Sequence, residues 1–178
     1  MRHQKKRWLA ALLTLCMLLS ILPSISLAFG ESEETWSGNR TNQTIDGGTH
    51  TITLSNLTID SPGLGKSAID ITGNADVTFI LEGNNTLSGR PNHPAIWVQS
   101  GSSVTFEGTG TLNTSAGGTT PGFGAAGIGG GYGASSNFGN ITINGGTIIA
   151  RGSGGGAGIG GGSWTTKHDM DGINAASD

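Results

Sequence analysis

The sequence predicts an all-β fold, a parallel β-helix of about four to five coils that follows a cleaved N-terminal signal peptide. Three observations support this prediction. Glycine accounts for 33 of 178 residues while helix formers are few, short segments alternate strictly between apolar and polar residues, and those segments recur along the chain. The predicted organisation is a signal peptide at 1–28, a lead-in at 29–44, β-helical repeats at 45–163 and an irregular or truncated tail at 164–178.

The N-terminus has the three parts of a secretory signal. Basic residues at 2–7 precede an apolar run of 14 residues, Trp8–Ile21, and Ser26-Leu27-Ala28 supplies the small-residue cleavage motif. The run is shorter than the ~20 residues that a membrane-spanning helix needs, so we expect cleavage after Ala28 and no membrane span afterwards. The only cysteine, Cys16, is lost with this segment, so the mature chain has no disulfide.

Removal of the signal makes the chain more acidic. Four of the nine Lys and Arg residues lie in the basic segment and all twelve Asp and Glu residues remain, which changes the net charge from −3 to −7. The remaining positive residues are scattered. This charge distribution argues against nucleic acid and anionic membranes as partners.

A three-part phrase occurs three times after residue 76. It consists of an apolar-Thr-apolar triplet, an acidic or amide residue with Gly, and Thr with an apolar residue. Its triplets are Val77-Thr78-Phe79, Val104-Thr105-Phe106 and Ile141-Thr142-Ile143. A second phrase, Ala-Ile or Ala-Gly-Ile, precedes each copy and opens a fourth. Its isoleucines, at 69, 96, 128 and 159, are spaced by 27, 32 and 31 residues.

This spacing predicts stacked coils whose equivalent side chains form ladders. Ile69, Ile96, Ile128 and Ile159 should form one inward ladder, and the two apolar residues of each triplet should form two others. Ile52, Leu54, Leu57 and Ile59 fit an earlier coil, and Asn74, Asn84 and Asn85 stand where left-handed corners are expected. Another stacked β-architecture and a disordered Gly/Ser-rich chain remain alternatives.

The repeated phrases resemble secreted and cell-surface proteins of clostridia-like bacteria. The likeness is carried by Ala-Gly-Ile-Gly-Gly-Gly at 126–131 and 157–162, by the Gly-Asn-Ile-Thr-Ile-Asn-Gly-Gly-Thr-Ile strand at 139–148, and by the stretch from Ser67 to Leu112. Such proteins are described as carbohydrate-binding-domain-containing proteins with a polysaccharide-lyase-like β-helix. The resemblance spans roughly residues 40–163 and implies binding to plant or microbial polysaccharide, but assigns no sugar-contacting residue.

Trp97 is the first candidate for ligand contact. If Ile96 and Val98 point inward, Trp97 points outward, and Asp70 occupies the same outward position one coil earlier. An indole beside a carboxylate can stack on a sugar ring and accept its hydroxyl hydrogens. Alternatively, the loop Arg90–Pro94 covers the ring. Tyr132, Trp164 and Phe138 could extend an aromatic strip or simply cover coil edges.

Two other functions have weaker support in the sequence. Asp60, Asp70 and Asp76 are candidate calcium ligands if the coils bring them together, with Lys66 close by as the base of a polysaccharide lyase. The outward threonines Thr78, Thr105 and Thr142 should form a ladder that serves strand pairing; a crystalline surface is an alternative partner for their hydroxyls. No cofactor is required, and a paired-carboxylate glycosidase motif is not evident.

The sequence therefore favours a noncatalytic carbohydrate-binding β-helix that works outside the cytoplasm, secreted or at the cell surface, with a polysaccharide or cell-wall glycan as partner. A structural or adhesive stalk is the first alternative, and a polysaccharide lyase is the second. We also expect the chain to be part of a longer multidomain surface protein, because no capping element follows the fourth Ala-Gly-Ile-Gly phrase.

Overall fold

A computed structural model of the chain describes residues 34–60, 65–118, 123–133 and 137–163. The predicted signal peptide and tail lie outside these residues. Every regular element in the described ranges is a β-strand, and the thirteen strands are β1 Glu34–Asn39, β2 Gln43–Asp46, β3 Thr49–Ile59, β4 Ile69–Thr72, β5 Asp76–Glu82, β6 Asn84–Pro91, β7 Ile96–Val98, β8 Ser103–Gly108, β9 Thr111–Gly117, β10 Ile128–Gly129, β11 Asn140–Ile143, β12 Thr147–Arg151 and β13 Ile159–Gly160. The all-β prediction is confirmed.

The strands form two parallel sheets. The small sheet has the order β13-β10-β7-β4-β2, and the large sheet has the order β11-β8-β5-β3-β6-β9-β12, with β1 paired to β3. From β4 onward each strand pairs with the strand three places later in the chain, as β4 does with β7 and β5 with β8. Strand β1 lies within the predicted lead-in and already belongs to the large sheet.

The pairing register confirms which residues form the predicted ladders, but their burial is not confirmed at the last members: Ile143 is 48% exposed and Ile141 and Ile159 are only partly buried, because no further strand covers them among the described residues. Ile69 pairs with Ile96, Ile96 with Ile128 and Ile128 with Ile159, and the first three are fully buried. Val77 pairs with Val104 and Phe79 with Phe106, and the two phenyl rings stack at a centroid distance of 5.8 Å. Since full burial of one such side chain contributes roughly 1.5–3 kcal/mol, these ladders are a principal source of stability.

The large sheet bends within β3, where Asn56 adopts a left-handed φ of 53°. Residues before the bend pair with β5, and residues after it pair with β6. The equivalent position between β5 and β6 is Gly83, also left-handed at φ 59°. A Cβ on Gly83 would lie 2.3 Å from Oδ1 of Asn56. That oxygen accepts a hydrogen bond from the Asn84 backbone N–H at 3.1 Å, so Asn56 fixes the bend in both strands.

The predicted asparagine corners are only partly confirmed. Asn74 is left-handed at φ 60°, as expected, but the predictions for Asn84 and Asn85 are wrong because both lie within β6. Asn85 is fully buried. Its Oδ1 accepts the Leu57 N–H at 2.9 Å, and its Nδ2 donates to the carbonyls of Glu82 at 3.0 Å and Thr111 at 3.2 Å. The amide thus replaces backbone hydrogen bonds inside the core.

The two Ala-Gly-Ile-Gly-Gly-Gly phrases stack on each other backbone to backbone. Gly129 pairs with Gly160, and a Cβ on Gly129 would lie 2.0 Å from the Gly160 carbonyl oxygen. A Cβ on Gly127 would lie 2.7 Å from the Gly158 oxygen. Glycine is therefore required here because the backbones approach too closely for any side chain.

Candidate functional site

One row of residues on the outward face of the small sheet has side chains of different chemistry. In register, Thr44 on β2 is followed by Asp70 on β4 and Trp97 on β7. The residues on either side of Asp70 and Trp97, among them Ile69 and Ile96, are fully buried, so strand alternation directs the row away from the core. Asp70 and Trp97 are both partly exposed. The predicted outward direction of these two neighbours is confirmed.

Trp97 lies against a loop and a glycine backbone. Its ring meets the His93 imidazole edge to face at a centroid distance of 5.5 Å. A Cβ on Gly131 would lie 3.5 Å from Cζ2 of the indole and 3.6 Å from Cδ of Pro94. The loop Arg90–Pro94 therefore supports the ring on one side and leaves it partly exposed, which is less than the complete cover considered as an alternative.

Backbone hydrogen bonds hold this loop in place. The His93 N–H donates to the Arg90 carbonyl at 2.8 Å, and the His93 carbonyl accepts from Gly117 at 3.2 Å. Asn92 is left-handed at φ 70°, and its carbonyl accepts the Tyr132 N–H at 3.1 Å. These hydrogen bonds join the loop to Gly117 and Tyr132. The turn therefore holds the His93 imidazole in a fixed position against the indole of Trp97.

The Asp70 carboxyl is partly buried and has a hydroxyl group and positively charged side chains near it. Burial raises the pKa of the Asp70 carboxyl above its usual value, while the nearby Ser67 hydroxyl and the positive charges of Lys66 and His93 act in the opposite direction. Ser67 itself is fully buried, so its hydroxyl acts on the Asp70 carboxyl from inside the fold. The site therefore holds a partly exposed carboxylate acceptor in register with the indole.

His93 is partly buried, and its pKa lies below the usual value. Burial lowers the pKa of His93 and Lys66 lowers it further, while the Asp70 carboxylate raises it. Its Nδ1 is buried without a hydrogen-bond partner among the described residues. Its Nε2 would lie 3.7 Å from a Cβ on Gly65. We call Lys66, Ser67, Asp70, His93 and Trp97 the Trp97 cluster.

Tyr132 borders the Trp97 cluster. It is 37% exposed and stacks on Phe123 at a centroid distance of 5.3 Å. Its backbone contact with Asn92 places it next to the loop that carries His93. Phe138 is partly exposed beside a bridge to Gln99, and Trp164 lies outside the described residues.

The candidate calcium ligands do not meet in the described part of the chain. Asp60 accepts a hydrogen bond from the Ser88 hydroxyl at 2.9 Å, and Asp76 accepts one from the Ser103 hydroxyl, while Asp70 belongs to the Trp97 cluster. Within residues 34–60, 65–118, 123–133 and 137–163, no group of three or more His, Cys, Asp or Glu side chains could hold a metal ion. Calcium binding stays a prediction.

Ser67 and His93 are the members of the cluster that sequence reasoning missed. The only hint of His93 was its place in the Pro-flanked segment Arg90–Pro94, directly before the strand of Trp97. Its approach to Asp70 depends on stacking of residues more than 20 positions apart, which no local pattern shows.

Comparisons with known proteins add no assignment, since no family model, curated protein or solved structure matches the chain. The described residues also contain no helix with the length and apolar character that crossing a membrane requires.

Proposed function

We propose that this protein is an exported, noncatalytic carbohydrate-binding domain of a bacterial secreted or cell-surface protein, and that the Trp97 cluster contacts the sugar. One observation carries the proposal: Trp97 and Asp70 are register neighbours on the outward row of a parallel sheet, and both remain open to solvent. Neither residue is needed to fill the core, because the ladders beside them do so.

The chemistry of the cluster suits a pyranose ring. The apolar face of a sugar can stack on the partly exposed indole, and the neighbouring carboxylate can accept hydrogen bonds from ring hydroxyls, each contributing about 1.5–3 kcal/mol when charged. The partly exposed His93 imidazole, which lies against the indole, adds a further hydrogen-bonding group. A few polar groups around one aromatic platform are typical of sites that bind small molecules.

The fold supplies a rigid base for such a platform. We infer that the repeating group of three strands winds as a parallel β-helix, because strands three places apart pair in parallel throughout β4–β13. Stacked coils present an extended, regular surface, which suits an extended polysaccharide chain. The basic and apolar segments before Ala28 support export to the place where such glycans occur.

A glycan-binding screen on residues 29–178 tests this proposal, followed by calorimetric titration of the best ligand. Trp97→Ala should weaken binding at least tenfold, since loss of one stacking or charged hydrogen-bonding contact corresponds to about 1.4 kcal/mol or more. Thr105→Ala, an outward residue of the large sheet, should leave affinity unchanged.

Asp70→Asn provides a second measurement with a matched control. It should weaken binding by reducing the acceptor strength of the side chain, whereas Asp46→Asn, which removes the same charge from the exposed end of β2, should not. Absence of binding to any glycan would favour the structural stalk. Unsaturated products released from an acidic polysaccharide, and lost on adding a chelator, would favour the lyase.

A further inference from the structure

The two ends of the strand stack differ in how far their apolar side chains are covered. At the end formed by β1 and β2, the apolar residues Trp36 and Ile45 are only 4% and 5% exposed. Trp36 packs toward Phe79 at a centroid distance of 6.3 Å, and the Arg40 guanidinium lies 5.7 Å from the indole centroid. Glu34 continues the row of Ile52 with a charged, exposed side chain. An inward-row charge opposes pairing with another chain, so this end is closed.

The other end, formed by β11, β12 and β13, shows none of these features among the described residues. These are the outermost strands of the two sheets among the described residues. Ile143 continues the ladder of Phe79 and Phe106 and yet is 48% exposed. Ile141, Ile148, Ala150 and Ile159 pack only partly against the core. We call this surface the open end.

Ile149 on β12 is an independent sign that the open end has a partner. It stands in an outward row whose other members, Thr58, Thr86 and Asn113, are polar. An isoleucine that is 39% exposed at the end of a polar row contributes nothing to the core of its own chain. Its side chain becomes useful if a second strand lies beside β12.

Charge distribution favours a second copy as that partner. In a mature chain of net charge −7, the described residues after Glu107 carry a single charge, that of Arg151. Two copies approaching through their open ends therefore avoid the repulsion that their acidic remainder would cause. Pairing of two β12 strands in antiparallel orientation about Ile149 would place Ile149 opposite its counterpart and Thr147 opposite Arg151, which keeps the two arginines apart.

We propose that the open end is a dimer interface, in which β11, β12 and β13 of one chain meet the same strands of a second copy about a two-fold axis. The contact is self-complementary and closes at two subunits, since the β1 end is closed to further addition. The proposal does not depend on glycan binding.

Light scattering and sedimentation of residues 29–178, from about 1 to 300 µM, test the dimer over a range suited to a small interface. The mass should rise from one chain to two with increasing concentration and go no further. Ile149→Lys should shift the dissociation constant at least tenfold toward monomer. Thr86→Lys, in the same outward row but inside the sheet, should not. At about 1 µM, where the parent is monomeric, circular dichroism and the urea midpoint of both variants should match the parent, which separates loss of the interface from loss of the fold.

Four results would overturn the proposal. The chain could stay monomeric over the whole range, or it could grow beyond two copies. Ile149→Lys could dimerise as well as the parent. Lastly, a chain ending at Ser163 could dimerise while the chain to Asp178 does not, which would assign residues 164–178 to the open end.

Discussion

Replacement of Asn85 by alanine should destabilise the protein far more than the same change at its neighbour Asn84. The fully buried Asn85 amide makes three hydrogen bonds, to Leu57, Glu82 and Thr111. Its removal leaves a backbone N–H and two carbonyls short of a partner in the core. A buried group left unpaired costs about 1–3 kcal/mol, and a carbonyl with a second lone pair costs least. We therefore expect a loss of about 3–5 kcal/mol in the free energy of unfolding.

Urea unfolding at 25 °C, followed by circular dichroism, measures this difference. Asn84 is exposed on the same strand, and Asn84→Ala should change the free energy of unfolding by less than about 0.5 kcal/mol. The m-values of both variants should match the parent, so that the shift in midpoint reports stability alone. Equal stability of the two variants would refute the view that the Asn85 amide substitutes for backbone pairing.

Two further predictions concern the Trp97 cluster and the turns. Because the Asp70 carboxylate raises the pKa of His93, Asp70→Asn should lower the pKa of His93 further in an NMR titration. The unfolded chain then binds the His93 proton at higher pH than the folded chain, so stability should fall as pH drops below the ordinary value of 6.5. A rise in the pKa of His93 in the Asp70→Asn variant would contradict the assigned effect of the Asp70 carboxylate. Gly38→Ala and Gly73→Ala both place alanine at a left-handed φ, near 65°, at a cost of roughly 1–2 kcal/mol. Gly73→Ala should cost more, because its Cβ would lie 2.9 Å from the Gly47 nitrogen while Gly38 faces open space, and equal thermal midpoints would disprove that reasoning.

The strand ladders could be predicted from the sequence because the information is local and repeated. Ile69, Ile96 and Ile128 each stand in an alternating segment, and their spacing alone indicates which residues stack. The burial of Asn85 could not be predicted in this way. An asparagine at a corner and an asparagine in the core look alike until the Leu57 N–H, 28 residues away, is placed beside the side chain.

The candidate site could likewise be predicted only in part from the sequence. The outward direction of Trp97 and its pairing with Asp70 follow from alternation and repeat spacing. The contribution of His93 does not, since it depends on a loop in which the His93 N–H donates to the Arg90 carbonyl and the His93 carbonyl accepts from the Gly117 N–H. The exposure of Ile143 was also not foreseen, because a ladder position implies burial only where another strand lies above it.

The stacked glycine phrases at 126–131 and 157–162 have a consequence for how such a chain can evolve. Composition alone would treat them as tolerant linkers, but almost any point mutation of Gly127 or Gly129 inserts atoms where a carbonyl already lies. Another pair of stacked backbones can be added here only by duplicating the whole phrase with the strands beside it. Duplication of a complete repeat is therefore expected to be tolerated far better than amino-acid substitution within a repeat.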